Sequence, residues 1–317
     1  MEQAGSLSPQ GSAAPGLFTI WMQASRAWTL GMPFMSITVG TFAAVYHGHF
    51  VLARYIAAAI AAMALQAGAN MINDYYDFVS GTDSADWQSP ENFGPGLVIQ
   101  RGYLQAGHVW TGGMIALVAG SVLGLGLAYV CGWPILVLGL IGVFGAYFYT
   151  GAPFQLAYRG LGDLMVFALM GPGYVLGAYY VQALSFSWLA MVISLSMGLL
   201  CSGVLQANNL RDIDNDSRHG KRTMAVIIGR RSAIAELFLS DFCAYLATIA
   251  GVAVGLIPWP GLAVLITMPR ALRELRLVSD GADAESHNRA MNLSGQLQFE
   301  FGLILVIAFL VARFFGW

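Results

Sequence analysis

Two short strings carry most of the chemistry in this chain. The first, NMINDYYDFVSGTD (70–83), places Asn70, Asp74 and Asp77 at i, i+4 and i+7; the second, NNLRDIDNDSRHGKRT (208–223), places Asn208, Asp212 and Asp216 at i, i+4 and i+8. On a helix each set lines one face. Four carboxylates facing one another repel unless cations sit between them. Oxygen-only ligands, without His or Cys, favour a hard ion such as Mg²⁺, which uses few carboxylates, keeps waters and shares its remaining positions with phosphates. Arg211 precedes the second acidic set, and Arg218, His219, Gly220, Lys221 and Arg222 follow it. Cations beside a carboxylate–metal cluster make an anion site for something that also binds metal, a description that diphosphate meets. Asp83, Asp86 and Glu91 either assist the metal or solvate their loop, and Asp214 points off the Asp212/Asp216 face into solvent.

A third polar string, YTGAPFQLAYRGLGD (149–163), brings Tyr149, Arg159 and Asp163 toward the same region. Two roles fit Tyr149, an interfacial aromatic or a hydroxyl that orients substrate. Two also fit Asp163, a carboxylate favoured at a helix N-terminus or a catalytic group. The five histidines make no metal set, and Cys131, Cys201 and Cys243 lie in apolar runs as small core residues.

The elements that position these strings must lie in a bilayer. Of 317 residues, 57% are hydrophobic and 10% charged, against about 25% charged in soluble domains, so water cannot be the solvent. The net charge of −2, with a single lysine, excludes a nucleic-acid binder with a basic face. Residues 1–15 read as a disordered tail without the basic n-region of a signal peptide, and 16–317 as one transmembrane domain. Leu17, Phe18, Trp21 and Met22 have the spacing of a short helix on the membrane surface. At about 20 apolar residues per crossing, nine spans are expected, near 28–47, 52–75, 108–131, 133–150, 163–182, 187–209, 232–256, 258–269 and 297–316. The loops on the side of the acidic strings, with the N-terminal segment, hold 13 of the 15 Lys and Arg; only Arg54 and Arg313 lie toward the other side. The positive-inside rule makes the rich side cytoplasmic, so the N-terminus and the acidic strings are expected there, in a cytoplasmic membrane. Arg270, Arg273 and Arg276 read mainly as topology signals. Gly120 and Gly124 are expected to permit close helix approach.

The paired N-x₃-D strings resemble the two aspartate-rich motifs of the UbiA-type intramembrane prenyltransferases, over nearly all of residues 20–317. Within that superfamily, NDYYDFVSGTD (73–83), YTGAPFQLAYRGLGD (149–163), NNLRDIDNDSRHGKRTMAVIIG (208–229) and GPGLVIQRG (94–102) look most like the 1,4-dihydroxy-2-naphthoate prenyltransferases of menaquinone biosynthesis. Asp163 stands where that branch often has Glu. The resemblance implies an all-α bundle of about nine transmembrane helices around a central cavity, capped on the cytoplasmic side and open laterally to lipid. It implies Mg²⁺ held by Asn70, Asp74, Asp77, Asn208, Asp212 and Asp216. It also implies contact with a polyprenyl diphosphate through Asn70, Asn73, Asn208, Arg211, Arg218, Lys221, Arg222 and Arg159, with Tyr149 and Asp163 among the catalytic groups. The expected activity is prenyl transfer to 1,4-dihydroxy-2-naphthoate with loss of CO₂. Related transferases with 4-hydroxybenzoate, homogentisate or a lipid alcohol as acceptor, and a membrane terpene cyclase, share the aspartates. A cation or phosphorylated-solute transporter would place its ionisable groups near the bilayer midplane, whereas these lie at span ends.

Overall fold

Apolar runs too long for a water-soluble core become long helices here. The computed structural model describes residues 15–82, 97–280 and 284–317, and over these the chain is helical, without strands. The expected tail therefore lies outside the described residues except for Pro15, as do Asp83, Asp86 and Glu91. In order the helices are α1 (Leu17–Ala24), α2 (Gly31–Tyr46, preceded by a 3₁₀ turn, Ala27–Leu30), α3 (Leu52–Val79), α4 (Ala106–Cys131), α5 (Trp133–Phe148) and α6 (Gly162–Ala168). A wide π-helical stretch, Leu169–Leu176, joins α6 to α7 (Gly177–Ala183). There follow α8 (Trp188–Arg218), α9 (Met224–Ile228), α10 (Arg230–Ala253), a 3₁₀ run (Trp259–Thr267), α11 (Met268–Asp280) and α12 (Ala284–Phe315).

Among the described residues seven segments are long and apolar enough to cross a membrane: Ala27–Tyr46, Leu52–Val79, Ala106–Cys131, Gly162–Ala183, Trp188–Arg218, Arg230–Ala253 and Glu285–Phe315. The other two expected spans differ in kind. α5 has 16 residues, about 24 Å of helix at 1.5 Å per residue. The eighth is broken into the 3₁₀ run and α11, because Pro258, Pro260 and Pro269 cannot donate to a continuous ladder and fit only where a helix starts. The sixth and ninth are longer than expected: α8 continues to Arg218 and α12 begins at Ala284, so the second acidic string is helical through Arg218, all of its carboxylates included.

The fifth span keeps its direction despite Pro172, which sits inside the π-helical stretch. A proline in an α-helix leaves a carbonyl unpaired and presses on it, and the wider turn relieves both problems. Gly171 makes this possible: a Cβ there would stand 2.3 Å from the Ser194 carbonyl oxygen of α8, so only glycine lets these two backbones meet.

α3 and α4 pack along most of their length. A Cβ at Gly120 would lie 3.0 Å from the Ala61 carbonyl, which bears out the close approach expected of it. Gly124 does not: nothing lies within 4 Å of its Cβ position, and it borders the central cavity instead. Apolar side chains turned outward, among them Val118, Val122 and Leu125 on α4, Leu239 and Leu246 on α10, and Leu303, Ile307 and Leu310 on α12, give the bundle the surface that lipid requires. α1 buries Ile20 and Ala24 and leaves Leu17 and Phe18 outside, as a helix lying along the bundle does.

Candidate active site

α3 and α8 end on the same side of the bundle, and that end is where the two acidic strings meet. Asn215 of α8 donates to the Thr82 carbonyl at 3.0 Å, tying the segment after α3 to the second string. Between them opens a cavity of about 350 Å³. Its charged end is lined by Asn70, Asn73, Asp77, Asn208, Arg211, Asp212, Asp216 and Lys221, with Tyr149 and Asp163 on one wall. It continues past Leu65, Leu127, Leu138 and Leu169 to Ala58 and Val181. From Asp77 back to Ala58 is about 28 Å along α3 at 1.5 Å per residue, so the cavity runs through most of the bundle with an apolar lining.

Each motif carboxylate has a cationic partner. Asp74, buried, pairs with Arg26. Asp212 takes two bonds from Arg211, at 2.7 Å from Nε and 2.6 Å from Nη2, and Nη2 also donates to Asn208 at 2.8 Å. Lys221 stands between the strings, its Nζ 3.3 Å from Asp77 Oδ2 and 3.9 Å from Asp216 Oδ1. Asp77 also accepts from Asn73 at 3.0 Å and from the Tyr158 hydroxyl. Asn70 donates to the Ser25 carbonyl and to Thr29 Oγ1, both at 2.9 Å, which fixes the chain ahead of α2 against α3.

The Tyr149 phenol is partly buried on the cavity wall, and desolvation, followed by the nearby Asp163 carboxylate, pushes its pKa upward. The group is therefore a neutral hydrogen-bond donor at physiological pH. Burial and the charge of Asp77 push Tyr158 the same way. Asp163 opens α6, is 5% exposed, and accepts from Asn209 at 3.5 Å; its Oδ2 has no hydrogen-bond partner. A buried acceptor left without a partner beside a cavity is a place for a ligand hydroxyl.

The predicted residues are not all gathered in. Asn70, Asn73, Asp77, Tyr149, Asp163, Asn208, Arg211, Asp212, Asp216 and Lys221 border the cavity, and Asp74 is held at its edge by Arg26. Arg159, Arg218 and Arg222 are exposed and outside the lining. Arg218 falls at the end of α8 where the helix has turned past the site, and Arg159 and Arg222 meet through a backbone bridge that leaves their side chains outward. Asp214 is solvent-exposed and pairs with Arg230 at 3.3 Å. His219 turns back onto the Asn215 carbonyl at 3.0 Å.

Arg26 and Tyr158 were not singled out by spacing, although both touch the first acidic string. Tyr158 lies nine residues from Tyr149 in a loop without periodicity, so only the fold can bring it to Asp77. Arg26 carried a signal of another kind. It is the first cation of the chain and stands alone before the first span, and its backbone adopts φ 49°, ψ 54°, a left-handed conformation that costs a non-glycine residue on the order of 1 kcal/mol. The bonds of Asn70 to Ser25 and Thr29 hold that turn against α3.

Among the described residues no three His, Cys, Asp or Glu side chains form a closed metal cage. The donors instead form an open, all-oxygen set whose carboxylates are shared with cations, a pattern suited to an ion that takes few protein ligands and completes its shell with water and phosphate.

Comparison with known proteins agrees with this geometry. The profile of the UbiA prenyltransferase family matches residues 34–314. A 1,4-dihydroxy-2-naphthoate octaprenyltransferase of Mycobacterium tuberculosis is 33% identical over 264 residues, covering 83% of this chain and 87% of that protein. One from Bacillus subtilis is 26% identical over 309 residues, covering 96% and 97%. Among solved structures, a UbiA homolog from Archaeoglobus fulgidus bound to DMAPP and Mg²⁺ has the same fold, with a TM-score of 0.58 at 13% identity over 90% of this chain and 99% of that one.

Proposed function

The chain is a member of the UbiA prenyltransferase family, and from that premise we propose that it transfers a polyprenyl group from a polyprenyl diphosphate to 1,4-dihydroxy-2-naphthoate with loss of CO₂, giving demethylmenaquinol. The observation that carries this reading is a continuous cavity whose one end gathers both acidic strings and whose remainder is apolar for most of the bundle's depth. The acceptor is supported by the naphthoate octaprenyltransferases to which the chain is similar over most of its length.

Asn70, Asp74, Asp77, Asn208, Asp212 and Asp216 would hold Mg²⁺, which supplies positive charge to a departing diphosphate. Lys221, Arg211 and Arg26 are the donors available to diphosphate oxygens, each already within the carboxylate cluster. They stabilise the charge that grows on the leaving group more than the charge present beforehand, which is what lowers a barrier. The C1–O bond breaks with its electron pair left on the diphosphate. The apolar wall keeps water from the resulting allylic, carbocation-like fragment. The ring carbon that bears the carboxylate supplies the pair for the new C–C bond, and departure of CO₂ returns a pair to the ring. Tyr149, a neutral donor, and Asp163, with its unpartnered acceptor oxygen, line the cavity where an acceptor's hydroxyl and carboxylate groups would lie.

The protein sits in the cytoplasmic membrane with this end toward the cytoplasm, an orientation supported by the 13 of 15 Lys and Arg on that side. The test is a product assay. Purified protein is incubated with a polyprenyl diphosphate and 1,4-dihydroxy-2-naphthoate, with Mg²⁺ or with EDTA, and analysed by mass spectrometry. A Mg²⁺-dependent prenylated naphthoquinol lacking the carboxyl group is expected. Diphosphate release that is indifferent to the naphthoate would overturn the acceptor assignment.

A further inference from the structure

Behind α8, on the face away from the cavity, the bundle encloses a second pair of acids. Asp241 of α10 is 6% exposed and Glu274 of α11 is fully buried. Ser294 of α12, also buried, stands beside both. Gly203 of α8 closes the group: a Cβ there would lie 3.4 Å from Asp241 Oδ1 and 3.5 Å from Ser294 Oγ. Four helices thus converge on two carboxyl groups.

Neither oxygen of Glu274 and not Oδ1 of Asp241 has a hydrogen-bond partner. Among the described residues no lysine, arginine or histidine forms an ion pair with either acid. On α11, Arg273 and Arg276 flank Glu274 in the chain but are exposed, and Arg270, one turn before it, is engaged outward with Glu300 at 2.9 Å and with Gln296. The remaining titratable neighbour, Tyr245 of α10, bonds Thr267 at 2.7 Å. From α8 and α12, Gly203 and Ser294 stand next to the pair. Two adjacent carboxylates enclosed by protein and lipid, with unpartnered oxygens and no counter-charge, are strongly disfavoured in the ionised form, and an intramembrane acid is neutralised by whatever cation reaches it.

The geometry points to a site for one small monovalent cation, a proton or a sodium ion, shared between Asp241 and Glu274 with the Ser294 hydroxyl as a neutral oxygen partner. This site is separate from the prenyl-transfer chemistry and does not rest on it. Its occupant holds α10, α11 and α12 together behind the helix that carries Asn208, Asp212 and Asp216.

The test is thermal unfolding of the full chain in detergent with EDTA, so that divalent ions play no part, in sodium-free buffer from about pH 6 to about pH 9, a window above ordinary carboxylate values. Raising pH strips the proton and leaves the buried charge uncompensated, so the wild-type Tm is expected to fall by about 3 °C or more. The Asp241→Asn/Glu274→Gln double variant, which needs no cation, is expected to fall by less than half as much. Adding about 150 mM sodium at the high-pH end, against choline at the same ionic strength, separates the two sources. Recovery of the wild-type Tm assigns the site to sodium, and no recovery assigns it to the proton. A wild-type Tm that is flat across the range, or a double variant that falls in parallel with it, would overturn the proposal. Should the double variant not fold, Glu274→Gln alone serves, with a fall smaller than the wild type's expected.

Discussion

Lys221 is the residue whose removal separates the competing demands of the site. Its ammonium lies 3.3 Å from Asp77 and 3.9 Å from Asp216, one carboxylate from each acidic string, and its side chain is 15% exposed. Lys221→Met keeps the aliphatic stem and deletes the charge. In the metal-free protein Asp77 retains Asn73 and Tyr158 as donors, so the loss is a counter-charge rather than all of its bonding. At about 4 Å and an effective dielectric constant near 20 the attraction has a ceiling of about 4 kcal/mol, before desolvation is subtracted; a net destabilisation of about 1–2 kcal/mol is expected, or a Tm lower by roughly 1.5–3 °C for a chain of this length. Turnover should fall because a charged hydrogen bond to the leaving diphosphate is gone. At about 1.5–3 kcal/mol for such a bond, kcat/KM drops roughly 10- to 150-fold. Divalent-ion affinity in the absence of substrate should move the opposite way, since the ion no longer competes with the ammonium for Asp77 and Asp216. Isothermal titration with Mg²⁺ and steady-state kinetics on the same preparation give both numbers. Activity and metal affinity falling together would refute this reasoning, because it would mean that Lys221 builds the metal site instead of competing for it.

Asp74→Asn and Asp212→Asn should each reduce turnover more than about 100-fold, as loss of metal-borne charge stabilisation demands, while circular dichroism still shows a folded bundle; substantial activity in both would remove the metal–diphosphate assignment. Tyr149→Phe should lower kcat by about 10- to 100-fold with little change in KM for the diphosphate. Because burial raises the Tyr149 pKa, the wild-type rate should show no alkaline loss from this phenol at or below its ordinary pKa of about 10, and an alkaline limb that begins near pH 8 and vanishes in Tyr149→Phe would contradict that. Gly171→Ala forces a Cβ to within 2.3 Å of the Ser194 carbonyl and should cost about 1–3 kcal/mol by overpacking, seen as a lowered Tm, whereas Gly124→Ala, with nothing within 4 Å, should leave Tm nearly unchanged.

Much of the architecture was legible because membrane helices must satisfy their own backbones, so composition and length locate them with little competition from tertiary packing. The spans at 52–75 and 108–131 match α3 and α4 closely for that reason. The eighth was least legible, since three prolines divide it and hydropathy does not report on hydrogen-bonding ladders. The acidic stripes were legible through helical spacing, and Asp77, Asp212 and Asp216 do converge on one cavity. Direction was not: Arg218 and Arg222 sit next to cavity residues in the chain, yet the last turn of α8 and the bridge at Arg222 carry them outward. Nor did spacing reveal Tyr158 at Asp77 or the Asp241–Glu274 pair, because each joins elements far apart in sequence.

The charges at the cavity mouth bear on how metal and substrate arrive. Asp74, Asp77, Asp212 and Asp216 oppose Arg26, Arg211 and Lys221, which leaves one negative charge in surroundings where Asp74, Asp77 and Asp216 are each under a tenth exposed. Two divalent ions alone would turn this into three positive charges, and a fully ionised prenyl diphosphate alone would add three negative ones. Together they sum to neutrality, and a partly enclosed site penalises any large imbalance. Mg²⁺ and diphosphate should therefore bind cooperatively, each tightening the other by the same factor. Titration of Mg²⁺ with and without inorganic pyrophosphate, and of pyrophosphate with and without Mg²⁺, measures both sides of the cycle; the complex in free solution, titrated in the absence of protein, is subtracted. A coupling of at least about tenfold, on the order of 1.4 kcal/mol, is expected, with two ions bound per pyrophosphate. If Mg²⁺ binds the substrate-free protein as tightly as it binds in the presence of pyrophosphate, then the arginines and Lys221 do not act as placeholders for the metal, and the charge argument for joint binding fails.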